Sequence, residues 1–303
     1  MYAITVSEPG GTDKITWAQV PTPEPGPGEV LVRTQAVGVN RGDVLQRQGH
    51  YPPPAGVTEV MGLEGLGVIA ELGEGVSGHE VGEQVLALLA GGAYAEYVLA
   101  PAYQLAKVPS DVPCAQLGGA PLAGLTAYQS LFEVAHLKEG ERVLIHAGAG
   151  GVGHLAVQLA AQAGAQVFAT ASAANHEFVR SLGAQPIDYR TEDFRAVLGQ
   201  TMDVVLNSTG RQTFLDSLEV LVPGGRIVTL TNPDPLDVAR ERGFEAQWLT
   251  AHPDRTQMQE IARLMSLGLL KVHVEKIFPL AEAAAAQELM ASGHTRGKIV
   301  LVP

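Results

Sequence analysis

The stretch RVLIHAGAGGVGHLAVQ, from Arg142 to Gln158, constrains this chain more than any other. A β-branched run stops, glycines follow, and an apolar pattern with helical spacing begins. Gly148, Gly150 and Gly153 form G-x-G-x-x-G directly between the strand and the helix. The first glycine permits a tight turn, the second lets a ligand approach bare backbone, and the third lets the helix pack close to the strand. Gly151 and Val152 complete the turn, and the amides opening the helix face whatever binds there. This context predicts a parallel βαβ unit that cradles a dinucleotide pyrophosphate. The competing reading is a tight turn with no ligand.

The rest of the chain divides in two. Up to about residue 115 it reads as short strands cut by Gly and Pro, among them EVLVRTQAVGV, GLGVIAELG and AYAEYVLA. Then strand-like runs RVLIH, QVFATA, QPIDY, DVVLN, GRIVTL and FEAQWL alternate with helical segments starting near Gly151, Asn175, Thr191, Gln212 and Leu236. Such alternation implies an α/β doubly wound parallel sheet. Further helices fit 255–267 and 281–290, and KVHVEKIF and GKIVLVP read as closing strands. A length of 303 residues favours two domains. They are expected at 1–115, completed by 272–303, and at 116–271.

The net charge of −12 argues against nucleic acid and anionic membrane as main partners. One cysteine, Cys114, rules out a disulfide within the chain and a four-cysteine zinc site; it is expected as a small buried residue. No basic-then-apolar leader and no membrane-length apolar run are seen, so a cytoplasmic enzyme is the expectation.

The strand after the glycine turn ends at Ser172, and the next acid is Glu177, inside the following helix. An acid at that strand end would bind the ribose 2′-hydroxyl of NADH and repel a 2′-phosphate. Its absence favours NADPH. Ala173 and Ala174 offer no cation, which leaves Ser172, Asn175, Tyr189 and Arg190 to hold the phosphate.

Three motifs, HAGAGGVGHLAVQLAAQAGA, VGVNRGDVLQRQGHYPPP followed by GLEGLGVIAELGEGV, and ASGHTRGKIVLVP, resemble the zeta-crystallin-type quinone oxidoreductases of the medium-chain dehydrogenase/reductase superfamily. The resemblance runs over nearly the whole chain. It implies a GroES-like β-rich catalytic domain, a Rossmann NADPH-binding domain and an active cleft at their junction. It also implies a homodimer joined edge to edge through GRIVTL and FEAQWL.

Zinc-dependent relatives in this superfamily hold catalytic zinc with Cys, with His in a Gly-His-Glu run, and with a further Cys or Asp. This chain has Asn40 where the first Cys would fall and reads GLE, with Leu63 in place of the His. A GHE run does occur at Gly78–Glu80, but downstream in a loop, and His79 is expected to be solvated. No metal is expected. Hydride addition without a Lewis acid favours acceptors that spread the incoming charge, so quinones and α,β-unsaturated carbonyls are the expected substrates.

The resemblance carries roles to particular residues. Asn40 and Asp43, in VNRGD, fall where the family's Asn-x-x-Asp lies at the cleft. Asn40 donates to a substrate oxygen or the nicotinamide ribose, or else caps local backbone; Asp43 orients neighbours, since nothing in the sequence suggests a raised pKa. Tyr51 in GHYPPP stacks on substrate with a proton to give, or packs on the prolines. Thr126 resembles a threonine that approaches the nicotinamide. Asn207 and Ser208 close the fourth strand at the edge where ligands bind. Lys298 resembles a cofactor-contacting lysine, against the alternative of a solvated edge lysine. The leading activity is NADPH-dependent quinone reduction. An enone or alkenal double-bond reductase and a non-catalytic NADPH-binding redox sensor or structural protein are the alternatives.

Overall fold

β-branched, alternating runs dominate the first hundred residues, and they form strands in the structure, a computed structural model that describes residues 1–108, 111–231, 233 and 235–303. The hairpin β1 (Tyr2–Val6) and β2 (Ile15–Gln19) comes first. It is followed by β3 (Glu29–Val39), the short helix α1 (Arg41–Arg47), β4 (Glu64–Leu72), β5 (Gln84–Leu88), β6 (Tyr97–Pro101) and β7 (Ala106–Lys107). Helices α2 (Cys114–Gly118) and α3 (Pro121–Tyr128) lead into a π-helical turn over Gln129–Val134.

From there strand and helix alternate: β8 (Arg142–Ile145), α4 (Gly153–Gln162), β9 (Gln166–Ala171), α5 (His176–Ser181), β10 (Ala184–Asp188) and α6 (Phe194–Leu198). The pattern continues through β11 (Met202–Asn207), α7 (Arg211–Ser217), β12 (Leu221–Thr229), α8 (Leu236–Glu241) and β13 (Glu245–Trp248). The chain closes with α9 (Arg255–Ser266), β14 (Val274–Pro279), α10 (Ala283–Ala291) and β15 (Lys298–Val302).

Two compact units result: Met1–Leu125 with His252–Pro303, and Thr126–Ala251. The division falls inside α3 and ahead of α9, where the composition change placed it after residues 115 and 271. The reason is packing that composition does not display. A Cβ on Gly124 would sit 3.1 Å from the Ile261 side chain, so α9 packs on the first unit.

In the first unit β3 is central. It pairs antiparallel with β4 and β6 and, through Ile299↔Val39 and Leu301↔Val37, with β15. Val37, Val39, Tyr94, Phe278, Ile299 and Leu301 pack into one apolar cluster and Val30, Val32, Ile69, Val85 and Leu105 into another.

The second unit is a six-stranded parallel sheet in the order β10-β9-β8-β11-β12-β13. Renumbered within the unit this is 3-2-1-4-5-6, the doubly wound order in which the strand order reverses between β8 and β11 and ligands bind at the carboxyl ends there. Leu144, Phe168, Val205, Phe214 and Ile227 fill its core. Among the described residues no helix is long and apolar enough to cross a membrane.

Two local expectations fail. Cys114 is exposed, because it opens α2 after Pro113 with its side chain outward. His79 is buried, with only 6 % exposure, because its ring bridges the Glu83 carboxylate at 3.3 Å and the Ala102 carbonyl at 3.1 Å.

Candidate functional site

The glycine turn has the build its spacing predicts. β8 ends at Ile145 and α4 begins at Gly153, with Val152 at its N-cap. A Cβ on Gly148 would lie 2.6 Å from the Ala169 Cβ, and one on Gly153 only 2.1 Å from the Ala147 carbonyl oxygen. Those two glycines are required by packing within the protein. A Cβ on Gly150 would meet only Ala147, at 3.3 Å from its carbonyl oxygen. A side chain at Gly150 would be less crowded than one at Gly148 or Gly153, and Gly151 stands beside it, so this part of the turn leaves backbone open to a ligand. The turn therefore fits a pyrophosphate.

Around it, Ser172 follows β9 and Asn175 Nδ2 donates to its hydroxyl at 3.3 Å. Register places Asp188 opposite Ala171, so Tyr189 and Arg190 leave β10 at the level of Ser172. Tyr189 is more than half exposed and the Arg190 guanidinium sits 5.6 Å over its ring. Asn207 is fully buried. Its carboxamide donates to Gly210 O and Thr229 Oγ1 and accepts from the Thr209 hydroxyl, so it shapes the loop after β11 from within. The Ser208 hydroxyl donates to the His146 carbonyl. Thr126 is buried in α3, its carbonyl accepting the Ser130 hydroxyl at 2.6 Å.

The first unit holds a second, wholly buried polar cluster. Lys298 is neither solvated nor free: at 1 % exposure its ammonium reaches Val39 O (3.2 Å), Asn40 Oδ1 (2.5 Å) and Glu64 Oε1 (2.9 Å). Those contacts engage all three of its hydrogens, so reaching a cofactor would mean releasing one of them. Asn40 Nδ2 in turn donates to Glu64 Oε1 (2.7 Å) and Gly38 O (3.3 Å), and Glu64 Oε2 accepts the Leu122 amide at 2.7 Å. Both amide hydrogens of Asn40 are thereby engaged inside the unit; donating to a ligand would mean releasing one. Gly38 makes this possible, since a Cβ there would lie 2.1 Å from Glu64 Oε1.

Asp43, in the first turn of α1, has no solvent exposure. Its Oδ2 accepts the Asn40 amide (2.7 Å) and the Tyr94 hydroxyl (3.0 Å), and its Oδ1 has no hydrogen-bond partner among the described residues. Burial pushes its carboxyl up to about 7, which no feature of the sequence announces. The same burial, with Asp43 beside it, raises the Tyr94 phenol. Gln287 bonds Tyr94 and accepts from Arg47 Nε at 2.7 Å, extending the network to α10. Tyr51 stands apart from it, 41 % exposed, after α1.

Glu64, Tyr94 and Gln287 were not singled out from sequence. Of these, Glu64 was within reach: the E of GLE is an acid at the head of a run, Gly65–Ala70, that carries no other polar side chain. Among the described residues no three His, Cys, Asp or Glu side chains converge to hold a metal ion.

A β-rich unit closed by the C-terminal strand, joined to a 3-2-1-4-5-6 sheet with a glycine turn at its switch point, defines a two-domain oxidoreductase. The chain belongs to the medium-chain dehydrogenase/reductase superfamily. The family model for the alcohol dehydrogenase GroES-like domain matches residues 26–110, and that for zinc-binding dehydrogenases matches 182–301. A 2-haloacrylate reductase from a Burkholderia species is 37 % identical over 100 % of this chain and 99 % of its own. The quinone oxidoreductase of Coxiella burnetii superposes with a TM-score of 0.95 at 33 % identity, covering 100 % of this chain and 99 % of that one. The Escherichia coli quinone oxidoreductase, solved with NADPH, gives 0.92 at 30 % identity with both chains fully covered.

Proposed function

We propose that this protein is a metal-independent reductase that uses NADPH to reduce conjugated carbonyl compounds, quinones foremost. The observation that carries the reading is Gly150, whose bare backbone lies in the turn after β8, at the switch point of the parallel sheet. Gly148 to Gly153 would hold the pyrophosphate, and Ser172, Asn175, Tyr189 and Arg190 the adenosine 2′-phosphate. No acid ends β9, and Arg190 supplies a cation at the level of that strand's end. Bound there, the dihydronicotinamide supplies a hydride.

The donor set argues for metal independence. Leu63 has no ligand atom, and the Asn40 oxygen already accepts from an ammonium 2.5 Å away, whose charge would oppose a dication. Without a Lewis acid, an acceptor that delocalises charge needs only a few hydrogen-bond donors. The half-exposed Tyr51 hydroxyl is the candidate proton donor and its ring the candidate stacking surface. A second copy of this chain is the proposed partner at the edge strand β13, where Trp248 is exposed.

The second reading, reduction of an activated carbon–carbon double bond, is favoured by the likeness to a 2-haloacrylate reductase. Oxidation of NADPH and NADH, followed against a panel of quinones, enones and 2-haloacrylates, separates the two. Quinone turnover with an NADPH preference supports the first, and turnover of enones or haloacrylates alone supports the second. Cofactor binding with no acceptor turnover would point to a sensor, and equal affinity for NADH would remove the NADPH assignment.

A further inference from the structure

We infer that His146, buried beneath the glycine turn and out of reach of any ligand, is a positioning residue for dinucleotide binding. It orders a one-way hydrogen-bond chain that holds Ala147 in left-handed backbone. The inference rests on the dinucleotide reading above.

His146 is 1 % exposed and directly follows β8. Its Nδ1 lies 3.1 Å from Thr170 Oγ1, at the end of β9, and its Nε2 lies 2.9 Å from Ser217 Oγ, in α7. The ring nitrogens alone do not say which carries the proton, but their neighbours do. Ser217 Oγ lies 2.6 Å from the Thr213 carbonyl, which can only accept, so the single Ser217 proton is spent there. Ser217 must therefore accept from His146 Nε2–H. Burial drives the imidazole pKa down to about 3, so the ring is neutral and Nδ1 is left with a lone pair. Thr170 donates its hydroxyl proton to that lone pair while its oxygen accepts the Ala147 amide at 3.1 Å. The chain runs in one direction from the Ala147 amide to Thr170 to Nδ1, and from Nε2 to Ser217 to the Thr213 carbonyl. Each member depends on the orientation of the one before it.

What this chain fixes is the first residue of the turn. Ala147 has φ 53, a conformation that L residues avoid and that persists only where the surroundings impose it. Its carbonyl accepts the Gly150 amide at 2.9 Å and packs on the bare Cα of Gly153, while the Gly148 amide bonds Thr170 O at 2.9 Å. The Ala147 peptide thus sets where the amides from Gly148 to Gly153 point. The His146 carbonyl also accepts the Ser208 hydroxyl at 3.1 Å, tying the loop after β11 to the same residue. Phe194 packs edge-on against the ring, with centroids 5.0 Å apart.

The two arms of the imidazole can be separated. His146→Asn offers a carboxamide oxygen near the place of Nδ1 and keeps the Thr170 arm; His146→Gln reaches toward Ser217 and loses it. Thr170→Val removes the hydroxyl at nearly constant volume, and Thr170→Ser restores it. NADPH dissociation constants come from fluorescence titration, kinetic constants from an acceptor the wild type turns over, and melting temperatures from the same preparations. His146→Gln and Thr170→Val should raise the NADPH Kd and KM by about tenfold, the loss of one hydrogen bond's worth of positioning, with a much smaller change in kcat. His146→Asn and Thr170→Ser should stay within about threefold of wild type on the same scale. Wild-type affinity in both His146→Gln and Thr170→Val would overturn the inference, as would equal losses in Asn and Gln. If the wild type binds neither NADPH nor NADH, the dinucleotide reading has failed and the inference falls with it. If it binds and both His146→Gln and Thr170→Val bind equally well, the inference alone has failed.

Discussion

Replacing Lys298 by methionine tests the buried cluster most directly. The side chains are similar in length and volume, so the change removes charge and hydrogen bonds while keeping most of the packing. Lys298 is 1 % and Glu64 0 % exposed, so water cannot screen the carboxylate left behind. Glu64 would keep the Asn40 and Leu122 hydrogen bonds but lose its only ionic partner among the described residues, at 2.9 Å, and Asn40 Oδ1 would lose its donor. Removing one member of a buried pair costs about 3–5 kcal/mol. For a unit of this size that is a fall of roughly 6–20 °C in melting temperature. Glu64→Gln added to Lys298→Met removes the stranded charge and should recover about 2–4 kcal/mol of the loss. Calorimetry on the wild type, both single variants and the double variant closes the cycle, with the two units' transitions fitted separately because the chain is not expected to unfold in one step. A Lys298→Met variant within about 1 kcal/mol of wild type, or a double variant as unstable as Lys298→Met, would refute the reasoning.

Asp43 predicts a pH effect. Its pKa in the folded protein, about 7, stands above the ordinary aspartate value of 3.8 that it takes when unfolded. The stability it contributes is therefore fully present below about pH 4 and is lost as pH rises toward 7, at up to about 1.4 kcal/mol per unit. His146, depressed from 6.5 to about 3, has the opposite slope over that lower window, so the signal is the difference between the wild-type and Asp43→Asn stability curves; a flat difference from pH 4 to 7 would contradict the assignment. Gly150→Ala should leave the melting temperature nearly unchanged and weaken NADPH binding, whereas Gly153→Ala, with its Cβ 2.1 Å from Ala147 O, should lower both; equal destabilisation of the two would count against Gly150 facing a ligand. Tyr51→Phe and Tyr51→Ala should lower kcat/KM by about ten- to a hundredfold while sparing NADPH affinity, and unchanged kinetics in both would make Tyr51 a packing residue. Dialysis against a strong chelator should leave quinone turnover intact, and loss restored by zinc alone would reverse the metal assignment.

The alternating half of the fold was legible because parallel strands covered on both faces read as unbroken apolar runs, and the helices between them carry their own spacing. The glycine turn was legible because its residues are contiguous. The buried cluster was not: Asn40 meets Glu64 across 24 positions and Lys298 across 258. No local pattern spans such gaps, and burial is what gives Asp43 its altered acidity. One signal was present for Lys298. It opens KIVLV, an apolar run without alternation, and a strand buried on both faces leaves a lysine at its start little solvent to point into. His79 and Cys114 were misplaced for a related reason: exposure of a loop or helix-start residue depends on what folds over it, as Ala102 does over His79, whereas Cys114 stays exposed with the Gln84 amide 3.8 Å from its sulfur.

The seat of β15 against β3 also orders the birth of the molecule. A ribosome must deliver every strand of the Rossmann half before it reaches the segment that completes the β-rich half. The parallel sheet can mature while its neighbour still lacks an inner strand. Glu64 then spends translation hydrated, waiting for an ammonium that emerges hundreds of residues after it.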